Sequence, residues 1–499
     1  MSTDKNKNIA RQATKGSLYS ISSSAITIVL GFVRTTVMLR LLLPTHYGVT
    51  TLALFYVNLA SVLFRFGFDQ ALIHHKAVTE SVRRTFFVMR MGATLIGLVS
   101  LALLVPVIGR FYPDQPSLTI VILAYIVIYA LREFNLSQVT ILSKNLAFRQ
   151  ISIADVVSSV AMTLVAPTLA WFGWGIWAIV AEQFTGIFVR LLIIQLIYRP
   201  WRPRWGWDRE EAKWFWDYGK KAWSSSTLAF FLDRFDDWFT GTFLGGVALG
   251  FYSRAYEYAN YPRRVISNPL LDVFFPTFAQ LQEDRQKLSR AFFRATSLMV
   301  RSSGLFGVIF VLTAPEFIPW LLGDKWTPMI VTFQLMIVYV LLEPLSMAAR
   351  NLLMATGYPQ FVLKMRITQT VIFIPAVILL GNWLNIEGVA LAADLMVLVG
   401  ALVLFWQTHQ VVDYSARVLW LWPMVGVVLT AVITLSLTAI WNALPIWGAL
   451  FAKVAIMTVI YTFILWLTER EQLNIGRKMI WGIIGPMLKE RQQRKNNVS

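Results

Sequence analysis

Residues 86–109 read FFVMRMGATLIGLVSLALLVPVIG, an apolar run. Wound as a helix, a run of this length crosses a hydrocarbon core of about 30 Å. In lipid every backbone N–H and C=O has to bond within the protein, so such a run has to be helical. Similar stretches recur along the chain, separated by short polar segments. Alternation of apolar and polar residues at period two, the mark of a membrane β-barrel, is absent. Fourteen candidate spans follow, at about 17–40, 48–68, 86–109, 117–142, 151–171, 174–198, 217–241, 249–280, 296–322, 329–355, 361–381, 386–408, 418–441 and 446–468. The expected fold class is an all-α polytopic membrane protein. The eighth span contains Pro262, Pro269 and Pro276. Prolines inside a helix kink or break it, and broken helices in membranes line cavities.

Composition agrees. Of 499 residues, 57% are hydrophobic and 14% charged, which excludes a string of soluble domains. The absence of cysteine excludes disulfides, thiolate metal sites and cysteine nucleophiles. His46, His74, His75 and His409 are scattered, and the adjacent pair lacks the i, i+4 spacing of two ligands on one helix face, so no metal site is expected. The polar, basic start, MSTDKNKNIARQATKG, leads into an apolar run without a small-residue cleavage site, which reads as a retained span.

Lysine and arginine orient the spans. With the N-terminus in the cytoplasm and the spans alternating, about 30 of these residues fall in cytoplasmic segments and about three (Arg40, Arg110, Lys325) outside. A single miscounted span would invert everything downstream of it, so the asymmetry supports the count and places both termini inside. The net charge of +18 follows from this bias, with attraction to anionic lipid. It is spread over many loops, so no nucleic-acid partner is expected. In the tail, MIWGIIGPML lies between basic residues and reads as an interfacial helix.

The chain also repeats at about half its length. Leu42 and Gly48 find counterparts in Leu244 and Gly250, 202 residues on. Phe148 and Gly175 match Phe361 and Gly388, 213 residues on. Six spans per half give both halves the same orientation, a parallel repeat about an axis normal to the membrane.

Polar residues at membrane depth fall at helical spacing. Ser20, Ser24, Thr27, Gly31 and Arg34 form one stripe in the first span. Asn58, Arg65 and Asp69 share a face in the second. Ser226, Asp233, Asp237 and Thr240 do so in the seventh, beside Arg234 and Asp236. Arg254, Glu257, Tyr261, Arg264 and Asn268 do so in the eighth. These spans hold equivalent places in the two halves and are expected to enclose a water-filled cavity rich in Arg, Asp and Tyr. Guanidinium groups bind phosphate oxygens in a fork, and tyrosine rings offer flat faces and hydroxyls to sugars. Acidic neighbours keep the arginines from holding an anion permanently and can carry a coupling proton or sodium ion. No other cofactor is expected. The structural alternative is that arginines such as Arg34, Arg40, Arg254, Arg263 and Arg264 snorkel from helix ends, and that Asp233–Arg234 and Glu257–Arg254 are salt bridges. Arg132, Glu133, Asp155, Glu182, Arg190, Glu343, Arg350 and Asp394 read as ties between helices.

RLLLPTHYGVTTLA (40–53) with FGFDQALIHH (66–75) resembles the first-span exit and second span of Wzx-type polysaccharide flippases. The stretch from DRFDDWFTGTFLGG through FPTFAQLQEDRQKL (233–288) resembles their seventh and eighth spans, and LLGDKWTP (321–328) is a third match. Over residues 15–410 the chain resembles the polysaccharide transporter branch of the MOP (multidrug, oligosaccharidyl-lipid, polysaccharide) exporter superfamily. That resemblance implies two six-helix lobes in a V shape, alternating access, and an undecaprenyl-pyrophosphate-linked oligosaccharide as substrate. It makes Arg34, Arg65 and Arg254 the leading candidates to hold the pyrophosphate, with Asp69 and Asp233 next; Arg234, Asp237, Glu257, Tyr261 and Arg264 of the polar stripes complete the candidate substrate-binding set. A polysaccharide polymerase and glycosyltransferases are the candidate protein partners. The domain plan is a cytoplasmic N-terminus (1–16), an N-lobe (17–198), a basic linker (199–216), a C-lobe (217–411), two further helices (412–468) and a basic tail (469–499).

Two rivals stay in view. A peptidoglycan-precursor flippase or multidrug exporter shares the superfamily, although a drug exporter would want a cavity poorer in arginine. A membrane glycosyltransferase or polymerase needs a sizeable outer loop with catalytic charges, whereas the loops at 41–47, 110–116, 242–248, 323–328 and 442–445 are short.

Overall fold

The computed structural model describes residues 2–75, 78–470, 472 and 474. The interfacial helix expected at MIWGIIGPML lies outside the described residues. Among the described residues the regular structure is all helix, and eleven helices are long and apolar enough to cross a membrane. The difference from fourteen has physical causes. The expected eleventh and twelfth spans run together in α14 (Pro359–Thr408), which turns at Leu384 and Asn385. The expected seventh is α8 (Arg209–Phe239), too rich in charge to pass for a lipid-facing run. The expected eighth is divided into α9 (Gly246–Ala259) and α10 (Asn268–Gln280), with a π-turn at Arg263–Ser267 directly after Pro262. Large apolar side chains point outward on many helices, as at Leu103 (75% exposed) and Leu379 (70%). A surface of this kind is matched to lipid rather than to water.

The chain divides into two compact units. One comprises Met1–Arg254, Leu321–Met329 and Val377–Val389. In it α1 (Ser2–Leu41) packs on α6 (Phe148–Trp171), which packs on α7 (Ile176–Leu192). Next to these, α2 (Pro44–Arg65) packs on α4 (Glu80–Phe111), α5 (Ser117–Lys144) and α8, with the short α3 (Phe68–His74) against α8. Leu52, Val57, Leu101, Val121, Tyr125 and Leu249 share its core. α8 begins at Asp208, whose carboxylate accepts from the backbone N–H of Glu210 (3.0 Å) and Glu211 (3.2 Å). Those bonds, with one from Ser81, hold the Asp208 carboxyl below the usual range. The LLGDKWTP segment closes the end of α1. Trp326, fully buried, donates its indole N–H to Leu39 O (2.9 Å), and Lys325 donates to Arg40 O (2.8 Å). The last carbonyls of α1 have no partner within their own helix, and these side chains supply one.

The other unit comprises Ala255–Trp320, Ile330–Ala376 and the described part of Ala390–Ser499. Here α10 packs on α13 (Ile337–Ala355), and α11 (Arg285–Leu322) joins them through Phe278, Phe292, Met299, Leu352 and Leu404. The short α12 (Ile330–Leu335) precedes α13. α15 (Ala416–Ser436) pairs with α17 (Ile446–Thr468) across the short α16 (Thr438–Asn442). Charged side chains tie α17 to α11. Lys453 meets Glu316 and, beyond the helix end, Glu469 meets Arg301, each pair at 2.6 Å.

The repeat reappears in the backbone. Leu146 (φ 55) before α6 corresponds to Gly357 (φ 82) before α14, 211 positions on. Gly175 (φ 52, ψ −126) before α7 corresponds to Asn385 (φ 53, ψ −136) at the turn within α14, 210 positions on. The register in this part of the repeat is therefore two or three residues shorter than the Phe148–Phe361 and Gly175–Gly388 matches suggest.

Candidate functional site

Arg34 lies well inside α1 and is largely buried. Its Nε donates to Glu182 Oε1 of α7 at 2.8 Å, and its Nη1 reaches Thr163 Oγ1 of α6 at 3.4 Å. The packing of α1, α6 and α7 against one another sets this geometry. Gly31, one turn earlier in the polar stripe of α1, faces open space: a β-carbon there would meet nothing within 4 Å. Arg254 of α9 stacks its guanidinium on the Tyr47 ring, 4.8 Å from the centroid. Tyr125 of α5 is fully buried, and its hydroxyl has no hydrogen-bond partner. Arg34, Glu182, Arg254, Tyr47 and Tyr125 all belong to the first unit.

Arg65 and Asp69 belong to a second cluster. Arg65 Nη2 donates to Glu133 Oε1 (2.9 Å) and Ser61 Oγ (3.1 Å). Arg90 Nη2 donates to Glu133 Oε2 (2.6 Å), and the same guanidinium pairs with Asp69. Thr140 donates to Asp69 at 3.2 Å. The two arginines and two carboxylates balance, and they link α2, α3, α4 and α5. Taking one partner away would leave an uncompensated charge at depth.

On α8, Arg234 pairs with Asp237 at 2.9 Å, Asp236 accepts from the Tyr252 hydroxyl at 2.6 Å, and Asp233 is exposed. Glu257, Tyr261 and Arg264 belong to the second unit. There Arg264 lies over the Tyr261 ring at 5.7 Å, and Glu257 is half-buried. That unit has its own polar centre. Tyr339 accepts from Arg263 (3.0 Å) and donates to Asn260 (3.2 Å), and Glu343 pairs with Arg350 at 2.8 Å. Asp394 accepts the Tyr339 backbone N–H at 2.9 Å.

Of the ten residues singled out from the sequence, seven belong to the first unit and Glu257, Tyr261 and Arg264 to the second. Sequence reasoning passed over Arg90, Tyr47, Tyr125 and Tyr339. Arg90 carried a signal, as the single charge inside FFVMRM. The tyrosines carried none, because a tyrosine in an apolar run reads as core or interface until its neighbours are known. Glu133, Glu182 and Glu343, expected as ties between helices, each hold one or more arginines. Among the described residues no three His, Asp or Glu side chains are grouped to hold a metal ion.

Residues 37–331 match the family model described as polysaccharide biosynthesis protein. The lipopolysaccharide biosynthesis protein WzxC of Escherichia coli (strain K12) is 24% identical over 428 residues, covering 83% of this chain and 85% of the relative. The succinoglycan biosynthesis transport protein ExoT of Rhizobium meliloti (strain 1021) is 25% identical over 336 residues, 64% of each chain. The teichuronic acid biosynthesis protein TuaB of Bacillus subtilis (strain 168) is 23% identical over 352 residues, 70% of this chain and 72% of the relative. Among solved structures, the inward closed conformation of the lipid II flippase MurJ superposes with a TM-score of 0.72 at 12% identity, covering 91% of this chain and 99% of that one. An inward-facing multidrug resistance MATE transporter of the MOP superfamily gives 0.59 at 14% identity, covering 77% and 94%. These likenesses show a MurJ- and MATE-like fold. The chain is a multi-pass membrane protein of this fold, and it belongs to the polysaccharide biosynthesis protein family.

Proposed function

We propose that the protein is a flippase that carries a lipid-pyrophosphate-linked oligosaccharide across the bacterial cytoplasmic membrane during polysaccharide or lipopolysaccharide biosynthesis. It is a transporter, not an enzyme, in keeping with relatives named for polysaccharide biosynthesis and its transport. The observation that carries the reading is Arg34. A guanidinium inside an apolar span is costly in a membrane unless it has work there. Arg34 is held by a single carboxylate, Glu182, and belongs to the same unit as Arg254 and the buried Tyr125. A pyrophosphate offers more negative charge than one carboxylate and can displace Glu182 from the guanidinium. Glu182 then competes for the same group and releases the anion, so the site binds without trapping.

In this reading Arg34 and Arg254 hold the anion. Arg65, Asp69, Arg234 and Asp237 shape the charge around them, and Asp233, Glu257, Tyr261 and Arg264 offer further polar contacts along the route. Access alternates between the two membrane faces, driven by a proton or sodium gradient, and both termini lie in the cytoplasm. The polymerase and glycosyltransferases act before and after the lipid-linked unit crosses. Depleting the protein in its own cells tests this: lipid-linked repeat units should accumulate while surface polysaccharide falls. Accumulation of a peptidoglycan precursor would transfer the reading to the other lipid substrate.

A further inference from the structure

We propose that a groove beside the start of α11 binds the headgroup of an anionic phospholipid. The groove, about 720 Å³, is lined by Arg285, Ser289, Arg290, Phe293, Arg294 and Tyr414 among others. All of these belong to the second unit.

Arg285 is already spent. Its Nε and Nη2 donate to the two Asp413 carboxylate oxygens at 2.9 and 2.7 Å, and it also donates to the carbonyls of Gln410 (3.0 Å) and His409 (3.1 Å). Asp413 N–H donates to Ser289 Oγ (2.9 Å), and the His409 ring stacks on Tyr414 at 4.1 Å. The loop after α14 is therefore fastened to α11 by one strut, whose two charges cancel.

Arg290 and Arg294 remain. They sit one turn apart on α11 and are exposed, and among the described residues neither meets a carboxylate. Half-buried Phe293 lies between them in sequence, and Tyr414 flanks the same groove. Two guanidinium groups over an aromatic floor suit a phosphodiester whose glycerol and acyl carbons continue onto apolar surface. The position fits. Beyond Arg301 the only charge in α11 is Glu316, and this stretch is otherwise apolar as a candidate span, so the groove lies at the polar end of a membrane helix. Basic pockets at that depth recognise anionic headgroups. The chain's own tail is the wrong occupant by charge: beyond residue 474 it carries Arg477, Lys478, Lys489, Arg491, Arg494 and Lys495 against Glu490.

Native mass spectrometry of the full chain tests the proposal, with phosphatidylglycerol, phosphatidylcholine or inorganic phosphate added in turn. The wild type should retain phosphatidylglycerol selectively, and R290Q/R294Q should retain it about tenfold less. Equal retention by the double variant, or no preference over phosphatidylcholine, would overturn the proposal. Retention of free phosphate as strong as that of the lipid would overturn the lipid assignment in favour of a general anion site. A photoactivatable phosphatidylglycerol on the unaltered protein gives a readout that does not depend on the variant folding. It should label peptides containing 286–294 or 413–415, and labelling confined to other segments would contradict the groove.

Discussion

Gly48 of α2 faces the carbonyl of Gly246 at the start of α9 so closely that a β-carbon on it would overlap that oxygen. The contact is reciprocal, since a β-carbon on Gly250 would overlap the carbonyl of Pro44. The pairs Pro44/Gly246 and Gly48/Gly250 share the 202-residue spacing read from the sequence. Each copy of the motif thus meets the other as the two faces of a twofold contact do. Small residues of this kind let helix backbones approach closely inside a membrane.

Gly48→Ala and Gly250→Ala should therefore each destabilise the protein by about 1–3 kcal/mol through overpacking. The check is the thermal midpoint in detergent. Gly31→Ala, into open space, is the matched control and should leave it unchanged. Equal midpoints for all three would contradict the close approach.

Glu133 separates structural from functional charge. It bridges Arg65 and Arg90, so Glu133→Gln should cost about 3–5 kcal/mol by stranding buried guanidinium charge. Folded yield after membrane extraction measures this. Arg34→Ala should leave yield near that of the wild type, because the Arg34–Glu182 pair is less buried than Arg90–Glu133. A similar loss of yield in both variants would make Arg34 a structural tie.

Asn385 adopts φ 53 and ψ −136, a backbone region suited to glycine, and its counterpart in the other half is Gly175. Asn385→Gly should raise stability by up to about 1 kcal/mol, seen as a higher thermal midpoint. A lower midpoint would mean that the Asn385 side chain contributes more than the strain costs.

The Arg285 strut predicts a pH dependence. Its guanidinium holds the Asp413 carboxyl below the ordinary carboxylate value of about 3.9. The bond's contribution is thus fully present above that value and is lost as pH falls through it toward the lower folded-state value. On lowering the pH from 6 to 3 the wild type should begin to lose the midpoint advantage it holds over Asp413→Asn. A constant difference across that range would show that the strut adds nothing through charge.

The helical class and the positions of most spans were legible because runs such as 86–109 leave lipid no other solution. The repeat was legible at Gly48 and Gly250, where backbone contact permits only glycine, and less so at Gly175. There the matching conformation falls on Asn385 rather than Gly388. Site residues were legible one helix at a time. Spacing put Arg65 and Asp69 on one helical face, but the chain turns at Phe66 and Gly67 and places them on α2 and α3, joined through Glu133 and Arg90 of other helices. The same holds for Arg34, whose carboxylate lies 148 positions away. Pairing across helices is set by packing, which a periodicity does not encode.

The central claim is transport of a lipid-linked anion through Arg34 and Arg254. The direct measurement is flipping of a fluorescent undecaprenyl-pyrophosphate oligosaccharide in proteoliposomes. The account predicts flipping by the wild type and a loss of at least about tenfold in R34A/R254A, reconstituted in equal amount, as expected when two charge-assisted contacts are removed. Flipping at the full wild-type rate by that double variant would contradict it.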